Sequence, residues 1–261
     1  MTGSSFNPKR KHARDYIIFA LDVPSAREAG KLAQQLSGHV GMFKIGLELF
    51  IQSGPEIVQS IRKSGPSAVF LDLKLHDIPQ TVFRAMRVIA DCGVSFTTVH
   101  CGESMNMLRA AVQGAGGRVK VLGVTILTSV SEQDLKIGPG HPDPASTLID
   151  RVLGRVEMAH RAGCDGVICS GREVQTIKQR YGHAFLAVTP GIRPSWEKTE
   201  DDQARVTTPA EAIVNGADYL VIGQPIRDAQ DPCAAADRIT AEIEGALFNS
   251  TPAHPVSEKA K

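Results

Sequence analysis

Five ionisable residues fall where they could act on one ligand. Asp72 and Lys74 stand two apart in Val69-Phe70-Leu71-Asp72-Leu73-Lys74-Leu75-His76-Asp77-Ile78-Pro79. The run of large apolar residues reads as a β-strand, in which residues two apart leave by the same face. Phe70 shares that face, while Leu71, Leu73 and Leu75 take the other. Asp77 lies just past the strand end, where Pro79 stops strand pairing and suits the first turn of a helix. Asp22 closes an earlier apolar run, and Lys44 sits within the next one. Each has a plain structural explanation: a strand with one wet face, an Asp capping the following helix, a Lys reaching solvent at a rim. Taken together they describe more. A lone ion in a low-dielectric cavity costs on the order of tens of kcal/mol. Two Asp with two Lys sum to zero, so an alternating array stays ionised where a single member could not. Such an array suits a reaction that expels an anion's carboxylate or develops a carbanion.

A second cluster lies further along, in Thr189-Pro190-Gly191-Ile192-Arg193-Pro194 and Val221-Ile222-Gly223-Gln224-Pro225-Ile226. Gly-containing turns after strands offer backbone N–H groups to phosphate, and Arg193 adds a bidentate cation. Thr128 is placed to give a hydroxyl or a backbone group to a ligand, or to cap a helix. His100 is expected to be bonded internally, His141 to be solvated, and His76 is given no role. The sequence has no His-Glu-x-x-His, Walker or Gly-x-Ser-x-Gly motif, so metalloprotease, nucleotidase and serine-hydrolase chemistries have no support.

The elements that must hold these groups alternate throughout the chain. Strands are expected at 16–22, 41–46, 68–74, 95–100, 119–126, 164–168, 184–189 and 218–222. Helices are expected at 25–37, 48–64, 79–92, 104–115, 145–162, 171–181, 209–215 and 232–247. Near-continuous apolar strands are those of a parallel sheet covered by helices. Eight β-α units in about 235 residues predict a single-domain α/β (β/α)8 TIM barrel, with a doubly wound open sheet as the alternative. In a barrel, every residue named above falls at the strand ends where chemistry is done. The barrel is expected over 15–247, between a disordered basic arm (1–14) and a disordered tail (248–261). Loops over 129–144 and 190–208 follow strands five and seven, and the latter is the candidate lid.

Composition sets the outer bounds. A net charge of +1 over 261 residues gives no reason to expect nucleic acid or a membrane surface as partner. No apolar run approaches the roughly 18 residues of a membrane span. The basic first residues lack the apolar stretch of a secretory signal. Five cysteines, at 92, 101, 164, 169 and 233, form no Cys-x-x-Cys pair and suggest neither a disulfide framework nor a zinc site. A cytoplasmic protein is expected.

These motifs, in this order, resemble those of bacterial-type orotidine 5′-monophosphate decarboxylase. The resemblance is carried by Asp72-Leu73-Lys74-Leu75-His76-Asp77-Ile78-Pro79 with Thr81, Ala20-Leu21-Asp22, Phe43-Lys44-Ile45-Gly46, Leu127-Thr128-Ser129 and the two Gly-containing turns. It spans about residues 15 to 245. It implies a homodimeric barrel that converts orotidine 5′-monophosphate to uridine 5′-monophosphate and CO₂, the last step of de novo UMP biosynthesis, without metal or organic cofactor. It further implies that Lys74 protonates C6 of the pyrimidine and that Asp72 lies near the substrate carboxylate. Lys44, Asp72, Lys74 and Asp77 would form the charged array, with Asp77, Ile78 and Thr81 reaching the partner's site. Asp22 and Lys44 would meet the ribose, Thr128 the pyrimidine, and Arg193, Gln203 and Gly223 the phosphate. Gln224 stands where the family usually has Arg, and weaker phosphate binding is expected from it. Two alternatives remain. A hexulose-phosphate synthase-like enzyme would bind Mg²⁺ through acids near strand two, where this chain has Lys44. A non-catalytic phosphate-binding barrel would have no need of Lys74 and Asp72.

Overall fold

The computed structural model describes residues 11–65, 68–102, 104–130, 147–197 and 205–249. Eight parallel strands close into a barrel in chain order: β1 (Ile17–Ala20), β2 (Met42–Ile45), β3 (Ala68–Leu75), β4 (Phe96–His100), β5 (Lys120–Val124), β6 (Gly166–Ile168), β7 (Leu186–Thr189) and β8 (Tyr219–Ile222), with β8 pairing back to β1. Closure removes both sheet edges and rules out the doubly wound alternative.

Between and after the strands run α1 (Ala26–Gln35), α2 (Leu47–Ser53), α3 (Glu56–Lys63), α4 (Pro79–Asp91), α5 (Met105–Ala115), α6 (Leu148–Ala162), α7 (Val174–Tyr181), α8 (Pro209–Val214), α9 (Gln224–Arg227) and α10 (Pro232–Asn249). Their starts follow local chemistry. The Ser25 hydroxyl accepts from the Glu28 N–H, and Thr208 does the same for Glu211 in a reciprocal capping box. The single helix expected over 48–64 is two helices, because Gly54 takes a φ of 66° and Pro55 follows it.

Side-chain alternation sorts the apolar residues into two layers. Outward-facing Phe19, Phe43 and Leu71 join the helices in the main core. Inward-facing Ile18, Met42, Phe70, Phe96, Leu122 and Val188 fill the barrel as a separate cluster. Phe70 and Phe96 meet edge to face at 6.1 Å, and Phe96 meets Tyr219 likewise at 5.1 Å. This aromatic layer is the floor on which the cavity rests.

Two expected boundaries move. Residues 11–14, assigned to a disordered arm, are ordered: a 3₁₀ turn runs over Ala13–Tyr16, and Lys11 Nζ donates to the Asp218 carbonyl at 2.6 Å. The last helix continues to Asn249, two residues into the expected tail. His141, most of the 129–144 loop and the middle of the 190–208 loop lie outside the described residues. No helix among the described residues is long and apolar enough to cross a membrane.

Candidate active site

A cavity of about 350 Å³ opens at the C-terminal ends of the strands, a size that accommodates a nucleotide-scale ligand. Asp22, Lys44, Asp72 and Lys74 are among its lining residues, as are Thr128, Arg193, Gly223 and Gln224.

The ionic groups come from three adjacent strands. Pairing sets Ala20 beside Lys44 and Lys44 beside Phe70, so the next inward positions, Asp22 and Asp72, flank the Lys44 side chain. Lys44 Nζ donates to Asp22 Oδ1 at 2.9 Å and lies 4.0 Å from Asp72 Oδ2. Lys74 Nζ donates to the same Asp72 oxygen at 2.7 Å. The charges therefore alternate along Asp22–Lys44–Asp72–Lys74. Lys44 and Asp72 are both buried, which favours neutralisation by neighbours over isolated charge.

Lys74 reaches this array by a route that alternation does not describe. From Leu71↔Thr97 to Leu75↔Val99, four residues of β3 run beside two of β4, a bulge in the ladder. Lys74 takes a φ of 49°, the one positive-φ non-glycine among the described residues. Such backbone costs on the order of 1–3 kcal/mol and persists where its surroundings hold it. Thr98 is what holds it: its buried hydroxyl accepts from the Lys74 N–H at 2.8 Å and donates to Asp72 Oδ1 at 2.8 Å. One hydroxyl thus fixes both the carboxylate and the backbone of the amine beside it. Sequence reasoning missed Thr98. Its signal was its position on β4, where it shares the inward face with Phe96.

Within one chain the fourth charge of the array is Asp22, and Asp77 is not part of it. Asp77 is exposed, and its Oδ1 accepts from the Ile78 N–H at 2.6 Å. Ile78 and Thr81 are exposed as well. Gln203 lies outside the described residues. His100 does not line the cavity; its ring sits 5.7 Å from that of His76. Burial, then His76 and Lys74, hold its pKa below the usual imidazole value.

After β7, Gly191 takes a φ of 71° to start the loop. The loop returns on itself: Thr207 N–H donates to the Gly191 carbonyl at 3.1 Å and Arg193 N–H to the Thr207 carbonyl at 3.0 Å. Arg193 Nη2 donates to Gln224 Oε1 at 2.8 Å, joining the two Gly-containing turns.

Arg205, a second residue that sequence reasoning missed, anchors the return of this loop. It pairs with Glu173 in the interior, and its Nη2 donates to the carbonyls of Ile126 at 2.9 Å and Leu127 at 3.1 Å, just before Thr128. Burial pushes the Glu173 carboxyl up, opposed by Arg205 and the Ser170 N–H. Nothing local marks this pair, whose members are 32 positions apart. Among the described residues, no three His, Cys, Asp or Glu gather as metal ligands.

The chain matches the family model described as orotidine 5′-phosphate decarboxylase / HUMPS family over residues 15–239. It is 49% identical to orotidine 5′-phosphate decarboxylase of Desulfosudis oleivorans, an alignment covering 92% of this chain and 97% of that one. It is 46% identical to the enzyme of Geobacter metallireducens, covering 90% and 98%. Among solved structures it resembles orotidine 5′-phosphate decarboxylase of Lactobacillus acidophilus, with TM-score 0.74 and 34% identity over 87% of this chain and 98% of that one.

Proposed function

The chain belongs to the orotidine 5′-phosphate decarboxylase / HUMPS family, and we propose from that premise how its own residues act. It converts orotidine 5′-monophosphate to uridine 5′-monophosphate and CO₂, a step of pyrimidine biosynthesis. The observation that carries the residue assignment is the Lys74 ammonium, held 2.7 Å from Asp72 on a strained bulge in the same cavity as Arg193.

Loss of CO₂ from C6 leaves a vinylic carbanion with no adjacent carbonyl to delocalise it. An ammonium already in place stabilises that charge as it forms and then supplies the proton, so Lys74 is assigned as the general acid. Asp72 lies beside the departing carboxylate, which it repels while CO₂, once neutral, is not repelled; the Thr98 bond keeps it from turning away. Lys44 and Asp22 meet the ribose hydroxyls. Thr128 contacts the pyrimidine, and Arg193, Gln203, Gly223 and Gln224 receive the phosphate, whose distant binding energy can be used at the reacting carbon.

Asp77, Ile78 and Thr81 are assigned to the partner's site in a homodimer. What supports this is their exposure outside their own cavity, together with the exposure of Leu47 and Ile51 on α2 and of Ile78 before α4, at 48%, 77% and 67%. Large apolar side chains left this exposed suit a surface that another chain covers. The Mg²⁺-dependent synthase alternative is disfavoured by Lys44, an ammonium between two carboxylates near strand two.

The test is loss of orotidine 5′-monophosphate absorbance with EDTA present. The chain is expected to turn over and Lys74→Ala to show no measurable rate. Activity that requires Mg²⁺, or that survives in Lys74→Ala, rejects the assignment.

A further inference from the structure

The phosphate end of the cavity contains a second guanidinium. Arg227 is three residues beyond Gln224, one turn along α9, and lines the same cavity as Arg193 and Gln224. Gln224 brings no charge there, and its carbonyl is engaged by Arg193. Arg227 is held by its edges: Nε and Nη2 fork onto Asp228 at 2.6 and 2.9 Å, and Nη1 donates to the Asp22 carbonyl at 2.8 Å. These bonds use three of the five N–H donors of a guanidinium and fix its plane, which lowers the entropy lost when the others engage an anion. Asp228 is largely solvated, so its attraction for Arg227 is screened and yields to a dianion more easily than a buried pair would.

We infer that Arg227 is a phosphate-binding residue of this chain, supplying at the strand-eight end of the cavity the cation that Gln224 lacks. The substrate phosphate then lies between Arg193 and Arg227, two charges against a dianion. This rests on the cavity being the orotidine 5′-monophosphate site. It also ties the phosphate end to the ion array, because Arg227 holds the backbone of Asp22, whose carboxylate holds Lys44.

The experiment compares two substrates, orotidine 5′-monophosphate and orotidine, the same nucleoside without phosphate. In Arg227→Gln, kcat/KM for the nucleotide is expected to fall about 10- to 100-fold, the scale of one or two charge-assisted hydrogen bonds. For orotidine it is expected to change less than about threefold, since the lost contact is one that substrate never makes. Arg227→Lys, which keeps a cation but loses the fork, should fall between wild type and Arg227→Gln on the nucleotide. Inorganic phosphate, competing with the nucleotide for this subsite, should bind more weakly to both variants. Equal losses on the two substrates would make Arg227 a support for the Asp22 loop and overturn the inference. So would an unchanged rate on the nucleotide, or a Lys variant as impaired as the Gln variant. A wild-type chain that acts on neither substrate would instead overturn the assigned reaction.

Discussion

The two ends of the barrel both bury amines, but they surround them differently. At the mouth, Lys44 and Lys74 lie against carboxylates, at 2.9 Å from Asp22 and 2.7 Å from Asp72. At the floor, Lys11 Nζ stands over the Tyr219 ring at 3.5 Å and the Tyr16 ring at 3.8 Å, with the Asp218 carbonyl as its hydrogen-bond acceptor. Burial pulls the Lys11 pKa down to about 8, against the opposing pull of the Asp218 and Asp15 charges. The Phe70–Phe96–Tyr219 column separates these two surroundings. The backbone differs in the same sense. Near the floor, β3 pairs in register with β4 through Phe70 and Leu71, and the bulge and left-handed φ of Lys74 arrive only at the mouth. The amine proposed to meet the developing carbanion has counter-charges and a strained but fixed backbone. The amine at the base of the barrel is covered by rings and donates to one backbone carbonyl. Charge and strain collect at the mouth, where the chemistry is proposed.

The same substitution at both ends gives the largest contrast. Lys74→Met should lower kcat by at least about 10³-fold, combining lost proton transfer with lost charge stabilisation. Lys11→Met should leave kcat within about twofold, because the aromatic layer stands between it and the cavity. Steady-state assays of the two variants check this, and a comparable loss in both would erase the distinction between the ends.

A smaller effect is expected one bond away from the chemistry. Thr98→Val keeps the shape but removes both the acceptor for Lys74 N–H and the donor to Asp72. We expect kcat to fall about 10- to 100-fold with KM nearly constant, on the scale of one to two lost hydrogen bonds about a buried carboxylate. Thr97→Val, on the adjacent outward-facing position of β4, is the control and should leave kcat alone.

The smallest effect belongs to the floor and is read as stability. The Lys11 pKa in the folded chain, about 8, is below its value of 10.5 when unfolded. Between the two, the unfolded amine still carries a proton that the folded one has released. The unfolded state therefore binds more protons, and stability rises with pH through that window. The gain is about 1–3 kcal/mol, held below the full linkage value by the two ring faces that favour the cation. Burial also pushes the Tyr16 and Tyr219 hydroxyls up, so their contribution is lost only at pH above the ordinary tyrosine range. Denaturant titrations at pH 8.0 and 9.5 should show this rise in wild type and its absence in Lys11→Met.

Much of the scaffold was legible because parallel strands advertise themselves. All eight apolar runs became strands, and the inward set from Ile18 to Val188 follows from the two-residue repeat alone. Helix 48–64 broke at Gly54-Pro55, a signal present in the sequence and passed over. The site was legible in part. Asp72 and Lys74 do share the cavity, yet the ladder between them is interrupted, and the interruption is held from β4, through a hydroxyl 24 residues beyond Lys74. Arg205 and Arg227 escaped notice because each gains its meaning from a distant partner: Glu173 and the Ile126 and Leu127 carbonyls for one, the Asp22 carbonyl for the other.

By itself, the amino-acid order determined which chemical groups stand at successive strand ends and on which face they leave, because strand periodicity is a local property of the backbone. Closure of the barrel decided which of those groups touch. It set Asp22, and not Asp77, against Lys44 within one chain, drew Lys74 onto Asp72 through Thr98, and turned Arg227 toward the cavity that Arg193 already lined. Such pairings depend on register and on the curvature of eight strands at once, and no single stretch of sequence contains that information.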